Sequence, residues 1–252
     1  MLAGKLYGLI GNPLRHSFSQ KYFADKFLAL GLNNYSYKLF ELKNLGELTE
    51  ILLENDLSGF NVTSPYKKEI FDYLDDVSPI ANEIGAVNCV KITDKGLTGY
   101  NTDWFGFKES LLQNTDVKQI RNAIILGTGG AAKAVAYALQ TLKINYTFVS
   151  RTNKISNTIN YLELNTKDFN SLDLIINATP CGLESYPLIT DIDTSKITDK
   201  HCVFDLIYNP SQTLLLEKAK QQGAKIINGL QMLYEQAEYS WRIWTNNDYD
   251  LD

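Results

Sequence analysis

Short apolar runs alternate with stretches of helical periodicity along nearly the whole chain. Residues 6–10, 35–42, 59–63 and 87–93 read as strands, and helices are expected over 18–30, 44–55 and 66–74. The run 87–93 leads into a turn at Asp94-Lys95-Gly96. After a helix over 103–113, further strands are expected at 123–127, 146–150, 172–177, 203–207 and 225–227. Ala123-Ile124-Ile125-Leu126 has no polar position, as a parallel strand buried on both faces requires. Strands alternating with helices imply α/β architecture, with parallel sheets and crossover helices in both halves. In the final segment, 230–244, Leu230, Leu233, Tyr234, Ala237, Trp241 and Trp244 recur at three and four residues, the stripe of a helix packed on a core. Helix 103–113 with the polar stretch Gln113-Asn114-Thr115-Asp116 is expected to link the halves.

One turn stands out. Gly127-Thr128-Gly129-Gly130-Ala131-Ala132 follows a buried strand and opens an Ala-rich helix over 131–142, fitting G-x-G-x-x-G/A at Gly127, Gly129 and Ala132. The first glycine makes the tight turn, the second admits a pyrophosphate to the backbone, and the small third residue lets helix approach strand. The helix N-terminus then offers unpaired N–H groups to phosphate. The following strand ends at Ser150-Arg151-Thr152, with Lys154 close behind. An NAD site would place a carboxylate there for the ribose 2′-hydroxyl; a guanidinium suits a 2′-phosphate by charge and by its fork of donors. The expected cofactor is NADP.

Composition narrows the class. The chain has 252 residues, enough for one large or two modest domains, with 44% hydrophobic and 21% charged residues, which excludes a disordered protein. No apolar run is long enough to cross a bilayer, and no signal peptide precedes the first strand. Net charge is −5 without a Lys/Arg stripe, so neither nucleic acid nor membrane is an expected partner. Cys89, Cys181 and Cys202 lie far apart, as free thiols of a reducing cytosol do, and no metal is expected. The expected partner is a small molecule in the cytoplasm; a homodimer stays open.

Four loops rich in small polar residues lie before Gly127, each expected at the C-terminal end of a strand, where open α/β sheets bind ligands. They are Gly11 to Ser19, Asn61 to Lys67, Gly85 to Asn88, and Gly99 to Asp103. Together with GTGGAA, Ser150-Arg151-Thr152, Asn177-Ala178-Thr179-Pro180-Cys181-Gly182, Asp205-Leu206-Ile207-Tyr208-Asn209-Pro210 and Gly229 to Gln236, they make the chain resemble the shikimate dehydrogenase family over nearly its whole length. The resemblance implies an N-terminal substrate-binding α/β domain, a Rossmann-type NADP-binding domain, and a C-terminal helix returning to the first domain. In this sequence those are 1–103 with 230–252, and 104–229. It implies NADPH-dependent reduction of 3-dehydroshikimate to shikimate, on the pathway to chorismate and the aromatic amino acids. It implies that Ser17, Ser19 and Tyr208 hold the substrate carboxylate, that Thr63, Lys67, Asn88, Asp103 and Gln236 bind the ring hydroxyls, and that Lys67 and Asp103 are the catalytic pair. On the cofactor side it implies Gly127, Thr128, Gly129, Gly130, Ala131, Ser150, Arg151, Thr152, Lys154, Ala178, Thr179 and Gly229. A small ring with one carboxylate and three hydroxyls needs many neutral hydrogen-bond groups and few charges, which these loops offer.

Several residues also have plain structural readings. His16 fastens its loop, and Asn12 and Pro13 form a turn. Ser64 reads as an N-cap with Pro65 at the first helical position, which would put Lys67 in the first helical turn with Lys68 pointing about 100° away. Asp103 stands equally as a cap for a helix starting at Trp104. Gln20, Cys89 and Ser150 depart from the family pattern. Only about two dozen residues separate Thr152 from Asn177, so the crossover helix between them is expected to be short or missing. Two alternatives stand beside the main reading: a quinate/shikimate dehydrogenase with relaxed cofactor use, and an inactive NADP-sensing module, whose mark would be loss of Lys67 or Asp103.

Overall fold

A computed structural model describes residues 4–14, 17–152, 156–187 and 190–245. The chain forms two compact units, 1–102 with 237–252, and 103–236.

The first unit holds strands β1 (Lys5–Gly11), β2 (Tyr35–Glu41), β3 (Leu57–Val62), β4 (Asp76–Val77), β5 (Cys89–Thr93) and β6 (Gly96–Tyr100), with helices α1 (Phe18–Ala29), α2 (Leu48–Glu54) and α3 (Pro79–Ile84). The sheet order is β2-β1-β3-β5-β6-β4. β1 pairs in parallel with β2 and β3, but β5 runs antiparallel to β3, and β6 antiparallel to β5. The expected all-parallel sheet is thus corrected to a mixed one. Asp94 and Lys95 are the whole connection between β5 and β6, far too short for a parallel crossover, and Gly96 takes the positive φ of +108° that closes the hairpin.

The expected helix over 66–74 is also corrected. Residues 64–68 are a turn, and only Glu69–Tyr73 is helical, as a 3₁₀ segment. The Lys67 carbonyl accepts the Val87 N–H at 2.8 Å, so an α-helical ladder is diverted to a distant partner. The N-cap of the helical segment is Lys68, four residues past Ser64, so the cap-and-proline reading of Ser64 and Pro65 does not hold.

One face of this sheet buries Ile10, Phe60, Val62, Val87 and Val90. Against the other lies an aromatic cluster to which the end of the last helix, α8 (Leu230–Thr245), returns. Trp244 stacks on Tyr7 with ring centroids 4.6 Å apart, and its indole N–H donates to the Val90 carbonyl at 3.0 Å. A Cβ on Gly59 would lie 2.6 Å from that indole, so β3 needs glycine where the helix seats.

The second unit is a wholly parallel sheet of β7 (Asn122–Leu126), β8 (Asn145–Val149), β9 (Thr158–Ile159), β10 (Leu174–Asn177), β11 (Cys202–Asp205) and β12 (Lys225–Ile227), in the order β12-β11-β10-β7-β8-β9. Its helices are α4 (Asp103–Asn114), α5 (Gly130–Thr141), α6 (Tyr161–Thr166), α7 (Leu214–Gln221) and the start of α8. This is the doubly wound Rossmann arrangement, with its topological switch between β7 and β10. The crossover from β9 to β10 is short, as expected: α6 has six residues, held by a capping box between Asn160 and Glu163. Between β8 and β9 the chain has only residues 150–157.

Candidate active site

The polar residues of the first unit meet along one sheet edge. β1, β3 and β6 end there at Gly11, Val62 and Tyr100. Asn88 arrives by another route, because it precedes β5 rather than following a strand. Since β5 is antiparallel to β3, that start lies beside the end of β3, and the Asn88 carbonyl accepts the Val62 N–H at 2.9 Å. Ser17 is the residue preceding α1; its N–H donates to Leu14 at 3.1 Å, and its side chain makes no capping bond. Ser19 lies in the first turn of α1 and hydrogen-bonds Tyr37. Thr63 follows β3, with its N–H donating to the Ile10 carbonyl at 2.9 Å. Lys67 is half-buried in the turn after Thr63, whereas Lys68 is exposed, so exposure now separates the two.

A buried network that the sequence did not reveal stiffens this edge. The Tyr37 hydroxyl donates to Asn61 Oδ1 at 2.9 Å, and Asn61 Nδ2 donates to Ser240 Oγ at 2.9 Å and to the Asn88 carbonyl at 3.1 Å. Ser240 Oγ meets Thr102 Oγ1 at 3.2 Å. Asn88 grips Thr102 in both directions, donating to its Oγ1 at 3.0 Å and accepting its N–H at 2.6 Å. Asn61 interrupts an apolar strand, and that interruption was the one available signal. Asp103 follows Thr102 directly and is the first residue of α4, so it lies one place past the cap. Gln236, in α8, donates to the Leu233 carbonyl at 2.9 Å.

Among the described residues of the second unit, every candidate lies just past a C-terminal strand end, apart from Asp103 and Gln236. After β7 come Gly127, Thr128, Gly129, Gly130 and Ala131; after β8, Ser150, Arg151 and Thr152; after β10, Ala178 and Thr179; after β11, Tyr208; after β12, Gly229. Lys154, like His16, lies outside the described residues. Gly127 has φ +104°, and a Cβ there would sit 3.0 Å from both the Ala178 carbonyl and Thr179 Cγ2. Gly129 differs: its φ of −73° suits any residue, and a Cβ there would meet nothing within 4 Å. Protein packing does not demand glycine at 129, while a phosphate on the N-terminus of α5 does, so the turn fits a dinucleotide. Gly229 has the opposite explanation, because a Cβ would collide with the Leu206 carbonyl. Arg151 is exposed at the end of β8, within electrostatic reach of Tyr161, whose hydroxyl pKa is raised chiefly by burial.

Comparison with known proteins decides the family. Residues 9–90 match the family model described as the shikimate dehydrogenase substrate binding domain. The shikimate dehydrogenase (NADP(+)) of Methanococcus maripaludis is 38% identical, over 98% of this chain and 94% of that protein. The chain belongs to the shikimate dehydrogenase family. Among solved structures, the shikimate dehydrogenase of Aquifex aeolicus superposes with a TM-score of 0.87 at 35% identity, covering 96% of this chain and 92% of that one. The Thermus thermophilus enzyme, solved in complex with NADP(H) and shikimate, gives a TM-score of 0.85 at 32% identity over 96% and 93%. The resemblance read from the motifs and the α/β fold class with a Rossmann sheet are both borne out. No described helix is long and apolar enough to cross a membrane.

Proposed function

We infer that this chain is an NADP-dependent oxidoreductase acting on a CH–OH group: it reversibly reduces 3-dehydroshikimate to shikimate with NADPH, in the shikimate pathway to the aromatic amino acids. The observation that carries the reading is identity over nearly the full length to a curated NADP-dependent shikimate dehydrogenase. Residues 1–103 with 230–252 take the substrate and 104–229 the cofactor. Small-molecule substrate and cofactor are its ligands in the cytoplasm, with no nucleic-acid partner; the homodimer is a matter for sedimentation.

The chemistry that NADPH supplies when bound is hydride transfer. Gly127 to Ala131 and the N-terminus of α5 hold its pyrophosphate, with Ala178, Thr179 and Gly229 on neighbouring strand ends. Arg151, flanked by Ser150 and Thr152 and followed by Lys154, takes the 2′-phosphate by charge-assisted hydrogen bonds. Ser17, Ser19 and Tyr208 donate hydroxyls to the substrate carboxylate, which stays charged throughout, so their contribution is to binding rather than to the chemical step. Thr63, Asn88 and Gln236 hold ring hydroxyls. Reduction puts negative charge on the C3 oxygen, and Lys67 donates the proton that oxygen needs; Asp103 holds the ammonium and the adjoining hydroxyl. The Asn88–Thr102 clasp fixes the residue before Asp103, so orientation is set before substrate arrives.

Nicotinamide absorbance with shikimate or quinate, each with NADP or NAD, tests the reading. Fast turnover with shikimate and NADP is expected. No turnover would leave a binding module, and preference for quinate with NAD would replace the assignment.

A further inference from the structure

The turns after β10 and β11 are held by a buried set of side chains that no step above uses. Asp205 and Asn177, the last residues of β11 and β10, are fully buried, and Thr213 nearly so. Asp205 Oδ1 accepts the Ile207 N–H and Asn177 Nδ2, each at 3.0 Å, and Oδ2 accepts Thr213 Oγ1 at 2.7 Å. The directions are fixed. Thr213 Oγ1 accepts the Leu216 N–H at 3.3 Å as the N-cap of α7, which leaves its single proton for Asp205. Asn177 Oδ1 accepts the Thr179 N–H at 3.1 Å and Thr179 Oγ1 at 2.6 Å, while Nδ2 donates to the Cys181 carbonyl at 3.0 Å as well as to Asp205. Flipping the amide would set donor against donor at Thr179 and oxygen against oxygen at Asp205. Three donors converge on a carboxylate, and none of them is charged. Burial drives the Asp205 pKa up; the three hydrogen bonds oppose that, leaving it above its usual value.

Both outer ends of this set reach candidate site residues. Ile207 directly precedes Tyr208, and Thr179 Cγ2 lies 3.0 Å from where a Gly127 Cβ would stand. We propose that Asp205 is a positioning residue: its buried carboxylate fixes the turn that presents Tyr208 to the substrate and, through Asn177, the turn that sets Thr179 against the glycine turn of the cofactor site. This rests on the roles given above to Tyr208 and to the glycine turn. An amide at 205 has an N–H where one of three donors needs an acceptor, so the two turns lose their common reference.

Steady-state kinetics on Asp205→Asn, Thr213→Val and Thr213→Ser, alone and with Tyr208→Phe, test the proposal. Asp205→Asn raises KM for both shikimate and NADP by about fivefold or more, with kcat within about threefold. Thr213→Val shifts both in the same direction, and Thr213→Ser, which keeps the donor, restores native values. Tyr208→Phe raises KM for shikimate in the native background, but by no more than about twofold on top of Asp205→Asn. Native KM values in Asp205→Asn, or a full Tyr208→Phe effect in that background, would overturn the proposal. If Asp205→Asn does not fold, equal KM values for the Val and Ser variants at 213 overturn it instead. An unaltered protein without activity removes the functional reading, and this inference with it; an active one with these contrary results removes the inference alone.

Discussion

The two sheet edges gather their candidate site residues by different means. The second unit's edge is made entirely of C-terminal ends of parallel strands, so each candidate sits in the turn where its strand stops. The first unit's edge is mixed. It combines the ends of β1, β3 and β6 with the start of β5, and it is stiffened by Asn61, Asn88, Thr102 and Ser240 from four separate segments. Backbone N–H groups at a glycine turn suit phosphate, whose oxygens all ask for donors. A ring whose hydroxyls both donate and accept needs side chains held at fixed angles, and a buried amide–hydroxyl network provides that. The contrast predicts that damage on the first edge reaches the chemical step and the substrate, while damage on the second reaches the cofactor and, only at Tyr208 and the Asp205 set that holds its turn, the substrate as well.

The largest effect is expected at Lys67. Lys67→Ala should lower kcat by about 10²–10⁴-fold with a smaller change in KM, the range of a lost general acid. Near-normal kcat in rapid-mixing or steady-state assays would take the proton donor away from the first edge. Within the second edge the two turn glycines should separate. Gly127→Ala forces a side chain into positive φ and onto the Ala178 carbonyl, and should cost about 1–3 kcal/mol in urea denaturation. Gly129→Ala should leave stability within about 0.5 kcal/mol, since its Cβ meets no protein atom, yet raise KM for NADP about tenfold or more by standing where phosphate approaches. Equal stability losses would mean that both glycines serve packing alone.

The smallest effect concerns the tie between α1 and α8. Lys26 Nζ lies 2.6 Å from Glu238 Oε1, and the Tyr22 hydroxyl also donates to that carboxylate. Burial pushes the Glu238 pKa up, but the Lys26 and Tyr22 bonds outweigh it and hold the net value below normal. A depressed carboxylate stabilises above its unfolded pKa, and that stability disappears as pH falls through the folded pKa. Glu238→Gln should therefore cost about 0.5 kcal/mol at neutral pH, a figure discounted for partial exposure, and nothing at the acid end. A constant difference across the acid limb of a pH–stability curve would contradict this.

Much of the second edge was legible because its signals are local: glycines after a buried strand, and an Arg where NAD sites place an acid. β9 escaped because two residues carry no periodicity, and α7 because Leu214, Leu215 and Leu216 run together. In the first unit the loops were found, but their placement was not. Tyr66, Ile70, Phe71 and Leu74 mimic a helical stripe, while the Val87 N–H that diverts the Lys67 carbonyl is twenty residues away. Asn61 and Ser240 are 179 positions apart, and no local pattern joins them. Gly96 and Gly99 hid β6 and its hairpin with β5, and the antiparallel β3–β5 pairing that sets Asn88 beside the end of β3 joins segments with no local pattern between them.

The division of labour between the edges is tested most directly by measuring both KM values in Ser17→Ala and Arg151→Ala. Ser17→Ala should raise KM for shikimate by about tenfold, the scale of a neutral donor lost from a charged acceptor, and leave KM for NADP unchanged. Arg151→Ala should raise KM for NADP by about ten- to hundredfold while leaving shikimate and NAD nearly untouched. A crossed pattern, with the Ser17 change felt by NADP or the Arg151 change felt by shikimate, would contradict the account.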